Sequence, residues 1–202
     1  MSRTTTRRQF YWERFTDGHG TWREKGKPPP GADLAALRRG IGQEVGTVPQ
    51  MWSFYATPAT DETGETDRYR YRKIVAEHVA LTLYGAHQQS RPQPVHRTGI
   101  SLGRMITNLK LTERFSAQAL ERRFAAAATA TSFSELTYHL RGLVALCRTD
   151  PSIALDYTGL VEDLTRWQRE SERSRTVRRW GLDYVWTDKD EHDSTTTNAG
   201  EN

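Results

Sequence analysis

Residues 97–124 read R-T-G-I-S-L-G-R-M-I-T-N-L-K-L-T-E-R-F-S-A-Q-A-L-E-R-R-F. Ile100, Leu102, Met105, Ile106 and Leu109 fall at helical spacing and form an apolar stripe. Ser101 stands just ahead of the stripe, where its hydroxyl can accept from an orphan N–H of the first turn. A second helix is expected from Thr112, with Phe115, Ala119 and Phe124 turned inward. Arg104, Lys110, Arg114, Arg122 and Arg123 recur between the apolar positions. The stretch therefore predicts helices with core on one side and cation on the other.

The same pattern extends in both directions. C-terminally, Ser132 and Glu135 have capping-box spacing ahead of a stripe of Phe133, Leu136, Leu140, Leu143, Val144 and Cys147. Asp156 is expected to cap a helix through Leu160, Leu164 and Trp167. A last helix over about 170–186 would turn Val177, Trp180, Gly181, Tyr184 and Val185 inward. N-terminally, residues 9–15 carry Phe10, Tyr11, Trp12 and Phe15, Asp33 is expected to cap a helix ending at Gly40, and Pro49 suits the first turn of another. A long helix is expected from Asp67 to about His87, after a polar loop at 57–66. Strict two-residue alternation and fixed-period repeats are missing. The predicted fold class is all-α, with two small helical-bundle lobes at residues 1–90 and 97–186 joined near the Pro-containing segment 88–99. Residues 187–202 are acidic, Thr-rich and aperiodic, which predicts a disordered tail.

With 202 residues the chain has room for one domain or two small ones. Its mean hydropathy is −0.77, and no apolar run is long enough to cross a bilayer, so no membrane is expected. Met1-Ser2-Arg3-Thr4 opens no secretory signal, and a single cysteine, Cys147, excludes an intrachain disulfide framework; both lead to a cytoplasmic expectation. Net charge is +4, but residues 187–202 hold five acidic residues and one Lys, which leaves the rest of the chain at +8. Of the 29 basic residues 24 are Arg, whose planar fork suits phosphate and stacks on bases. A GC-rich genome would raise Arg as well, though not where it clusters.

Signals for catalysis are missing. His19, His78, His87, His96, His139 and His192 are scattered, with none of the spacings of a metal site, nucleophile elbow or phosphate loop. His139 and Cys147 lie in an apolar helix and read as structural; the run Gly40, Gly42, Gly46 lacks the strand and Lys-Ser/Thr of a phosphate cradle. No enzyme activity, cofactor or metal is expected. Trp167, Trp180 and Trp186 fall on inward stripes and read as core, although they are also the residue type that stacks on bases. The positive features are basic: Arg38, Arg39, Arg104, Lys110, Arg114, Arg122, Arg123, Arg141 and Arg148 are the candidates for contacting a phosphate backbone. The alternative is a solvated helix surface paired with Glu113 and Glu121. No short turn followed by a recognition helix is visible.

Thr98-Gly99-Ile100-Ser101-Leu102-Gly103-Arg104 resembles the signature of the CasB family, the small subunit of the type I-E CRISPR surveillance complex, Cascade. Leu37-Arg38-Arg39 with Pro49 and an aromatic segment after it, the pattern of Leu155, Asp156, Tyr157, Leu160, Asp163, Leu164 and Trp167, and the ending with Val177, Trp180 and Tyr184 extend the resemblance over roughly residues 31–186. It implies an all-helical, non-catalytic subunit. Two copies would lie along the complex, between the large subunit and the subunit holding the guide 3′ end, packed on the guide-RNA backbone subunits and so touching guide RNA indirectly. The basic groove would hold the displaced single-stranded DNA and stabilise the R-loop, with sequence selection left to guide pairing. Two other readings stand beside it: a regulator of double-stranded DNA, and a helical scaffold whose arginines make only protein contacts.

Overall fold

The structure, a computed structural model, describes residues 8–24, 26–58 and 66–197, with side chains through Val185. Seven α-helices follow in order among the described residues: α1 (Gly31–Arg39), α2 (Asp67–His87), α3 (Leu102–Leu111), α4 (Ala117–Ala128), α5 (Phe133–Cys147), α6 (Tyr157–Trp167) and α7 (Glu170–Thr197). Two 3-10 segments, Trp12–Arg14 and Pro49–Phe54, flank α1. The only extended pairing among the described residues is two isolated bridges, Thr16 with Trp22 and His96 with Leu155. The all-α expectation holds.

Caps decide most helix starts. Ser101, Ser116, Ser132 and Asp156 accept from the backbone N–H of Arg104, Ala119, Glu135 and Gly159, which relieves one orphan donor each. The Ser132 motif differs in detail from a capping box, because Glu135 Oε2 reaches the N–H of Thr131 at 2.7 Å, one residue earlier than the cap. Two expected starts are corrected. Asp33 is not a cap: α1 begins at Gly31 behind Pro30, and Asp33 sits in its first turn, accepting the Tyr11 hydroxyl at 2.8 Å. Thr112 does not open a helix either. It closes α3, its hydroxyl donating to the Leu109 carbonyl at 2.8 Å, and Glu113 then turns left-handed at φ 55°, so α4 waits for Ser116.

The helices on either side of segment 88–99 share one buried core. Trp12, Tyr84 and Tyr157 form a buried aromatic centre, with Tyr84 edge-on to Tyr157 at 5.3 Å. The Trp12 indole N–H donates to Thr158 at 2.9 Å, and α2 packs against both α5 and α6. Segment 88–99 is free of helix, as its prolines predict, yet the buried apolar cluster runs without a break from Phe10 to Trp180. Burying apolar surface on both sides of α2 leaves neither group with a separate core.

Trp167 and Trp180 are buried, as expected, and the Trp180 indole donates to Asp163 at 2.7 Å. Two inward assignments on α7 fail. Val185 is exposed, and a Cβ added at Gly181 would meet open space. No Pro or Gly stands between Gly181 and Gly200, and α7 continues to Thr197. The acidic tail expected to be disordered from Thr187 thus falls partly on the end of α7 and otherwise, at 198–202, outside the described residues. So does most of the loop expected at 57–66.

Candidate nucleic-acid interface

The signature stretch is built for packing. Thr98 N–H donates to the Gly18 carbonyl at 2.8 Å, and Gly99 N–H donates to Asp156 Oδ2 at 2.9 Å, so one carboxylate both caps α6 and fixes the entry to α3. A Cβ added at Gly103 would lie 2.1 Å from the Trp180 carbonyl oxygen. Only a glycine lets α3 and α7 approach so closely. Arg104, one residue on, points outward and is exposed.

The nine candidate cations divide by their partners. Lys110 lies 3.8 Å from Glu121 and over the Tyr184 ring, so it bridges α3, α4 and α7. Arg114 donates to Asp150 at 3.2 Å. The Asp150 carboxyl is held below its usual range, first by Ser152 and then by Arg114. These two cations are engaged inside the fold. Their acids come from other segments, so the expected pairing with Glu113 and Glu121 occurs only for Glu121, and across helices. Arg38, Arg39, Arg104, Arg122, Arg123, Arg141 and Arg148 form no ion pair among the described residues; Arg38 is half-buried and the others are exposed.

Three of those unpaired arginines come together. Arg123 of α4, Arg141 of α5 and Arg148 just past the end of α5 line an open groove of about 370 Å³. Ile41, Leu83, Leu143 and Val144 supply apolar lining, and His139 and Tyr138 complete one wall. Along α5 and its C-cap the spacing is 138, 141, 145, 148, a single outward stripe about 15 Å long opposite the buried Leu136, Leu140 and Cys147. Arg141 also borders a second hollow beside Gly40, Gly42 and His78. Arg38 and Arg39 do not line the groove, but the chain leads from them directly to Ile41 and Gly42. Arg122 and Arg104 lie outside it as well. Among the described residues no acidic side chain lines this groove, and an anion is favoured wherever like charges gather without compensation.

Sequence reasoning passed over two things. One is Tyr138, whose ring stands 70 % exposed in the groove wall. The signal available was its place on the arginine stripe of α5. The other is a second basic hollow, about 540 Å³, lined by Arg166, Arg175, Arg178 and Arg179 of α6 and α7. Its charge is offset. Asp163 is ion-paired with Arg179 and lies 3.9 Å from Arg166, Glu162 accepts from Arg166 at 3.4 Å, and Glu172 lines the same hollow.

Several side chains that could carry nucleophilic or acid–base chemistry are engaged in the fold. Burial pushes the Cys147 thiol up to about 12. His78, His87 and His96 are buried and held below their ordinary value by desolvation. Their ring nitrogens face Tyr55 and the Gly40 carbonyl, Tyr157, and the Tyr157 N–H respectively. His139 is partly exposed and lies 3.9 Å from Glu135, rather than being enclosed by the apolar helix. No group of three or more His, Cys, Asp or Glu able to hold a metal ion occurs among the described residues, and no helix there is long and apolar enough to cross a membrane.

Fold and surface together define an all-helical, arginine-rich protein. The family model described as CRISPR-associated protein Cse2 matches residues 33–184, and the chain belongs to that family. CasB from Thermobifida fusca is similar at 30 % identity with a TM-score of 0.63, over 76 % of this chain and 84 % of that one. CasB of M. ruber shares the fold at 23 % identity, with a TM-score of 0.59 over 83 % and 90 % of the two chains. A chain of a CRISPR RNA-guided surveillance complex does so at 24 % identity and a TM-score of 0.59, over 87 % and 89 %. The curated proteins include no match to the sequence.

Proposed function

We propose that this protein is a non-catalytic small subunit of a type I-E CRISPR surveillance complex, Cascade, and that its basic surface holds the displaced single strand of an R-loop. Membership of the Cse2 family and the likeness in fold to a chain of an RNA-guided surveillance complex support the assembly. The observation that carries the strand-holding role is the groove itself, in which Arg123, Arg141 and Arg148 converge with no acid among the described lining residues. Arg38, Arg39, Arg104 and Arg122 are unpaired among the described residues and would extend the path along the surface. The partners are the large subunit, the guide-RNA backbone subunits, the subunit at the guide 3′ end and a second copy of this chain. Strand exchange in an R-loop is nearly balanced in energy. A protein that binds only the displaced strand therefore shifts the balance toward the open state by mass action.

The test is charge removal. Each of Arg123→Gln, Arg141→Gln and Arg148→Gln should lower the log–log salt slope for single-stranded DNA by about 0.7, whatever the base sequence. In the assembled complex the triple variant should shorten R-loop lifetime and leave guide-RNA loading intact. Unchanged persistence in a folded, fully assembled triple variant would leave these arginines as contacts to neighbouring subunits, the scaffold reading.

A further inference from the structure

We propose that Tyr138 is a stacking platform for an unpaired base, which makes the groove selective for single strands over duplex; this rests on the groove being the strand path proposed above. Tyr138 is 70 % exposed on the outward face of α5, where its ring is open to a partner. Its hydroxyl has no hydrogen-bond partner among the described residues. Its ring meets His139 edge-on at 5.4 Å and 71°, a neighbour that restricts its orientation. Arg141 stands one turn further along the same stripe, and Arg123 lies across the groove over Gly142. Aromatic faces beside a cationic track are the two components by which single strands are held without sequence preference.

The other exposed aromatics lack this setting. Trp52 is 62 % exposed, but its indole N–H is tied to the Gly46 carbonyl at 2.9 Å, and it lies outside the groove. Tyr71 is exposed on α2 and also lies outside the groove. In a duplex each base is already stacked on both faces and paired at its edge, so Tyr138 has nothing to receive. A displaced strand offers free faces, and a base resting on Tyr138 is withdrawn from re-pairing.

The experiment uses the full chain and three fluorescent probes of equal length: a pyrimidine single strand, an abasic single strand and a duplex. Tyr138→Ala is expected to fold, because the position is exposed on a helix and Ala is a strong helix former. It should weaken the base-bearing strand by between about five- and 150-fold, the range for losing one stacked base. The abasic strand, the duplex and the salt slope should be unchanged, and Tyr138→Trp should restore the affinity. Arg141→Gln should weaken base-bearing and abasic strands alike. If Arg141→Gln acts but Tyr138→Ala changes nothing, or weakens base-bearing and abasic strands equally, the stacking role is wrong and the groove remains the path. If Arg141→Gln leaves every affinity unchanged, or no single strand binds at low salt, the path itself is wrong and the proposal for Tyr138 goes with it.

Discussion

His87 shows how a single buried side chain couples this fold to pH. It is enclosed at the end of α2, its Nδ1 against the Tyr157 hydroxyl at 2.9 Å. Desolvation first, then the nearby guanidinium groups of Arg91 and Arg148, hold it down at about 3 against an ordinary 6.5. Between those values the unfolded chain binds a proton that the folded chain refuses, so stability falls as pH drops through that window. His78 and His96 are depressed in the same direction and add to the slope. Thermal midpoints measured from about pH 7 to pH 4 should therefore decline, and His87→Gln should flatten the decline by up to one proton's worth of slope. An unaltered slope in the variant would assign the acid sensitivity to other groups. Asp156 is the other residue with more than one duty, since it ties Gly99 and caps α6 with the same carboxylate.

Two glycines on the α3–α7 pair have opposite expected responses to the same substitution. Helix propensity alone favours Ala over Gly, by about 1 kcal/mol in a helix interior such as that around Gly181. At Gly181 a Cβ enters open space, so Gly181→Ala should stabilise by about that amount. At Gly103 it meets the backbone carbonyl of Trp180, which cannot swing aside as a side chain tip can. Gly103→Ala should then destabilise by about 1–3 kcal/mol, the cost of overpacking. Urea unfolding of the two variants checks both signs together; equal effects would mean that α3 and α7 separate freely. Gly103 thus serves packing, while Arg104 beside it faces outward.

At the scale of the whole molecule, one buried core spans the residues on both sides of segment 88–99. Calorimetry should show a single cooperative transition, since α2 packs on α5 and α6 across the helix-free segment 88–99. The C-terminal charge acts on the same scale. Deleting residues 187–202 removes a net −4 and raises the chain from +4 to +8. Among the described side chains, the last anchoring contacts of α7 are those of Tyr184, which donates to Glu121 at 2.8 Å and accepts from Thr107 at 3.2 Å through its carbonyl. The truncated protein should therefore keep its thermal midpoint and bind free single strands more tightly, most visibly at low salt. A large fall in midpoint would show that the end of α7 packs on the body of the protein.

What the sequence determined is local. Apolar periodicity marked the buried faces of α3, α5 and α6, because side chains three and four apart share one side of a helix whatever packs against it. Ser101, Ser132 and Asp156 announced their helices because a cap bonds within its own turn. Arg141 and Arg148 were legible as cations for the same reason, and Tyr138 shared their stripe without being singled out. What only the tertiary structure decided is which of these charges are free and which face one another. Lys110 and Arg114 find their acids on distant segments, Arg123 joins Arg141 and Arg148 only because α4 lies against α5, and the arginines of α6 and α7 are offset by Asp163 and Glu162. Electrostatic pairing depends on distance in space, and no periodicity along one helix carries the position of the next.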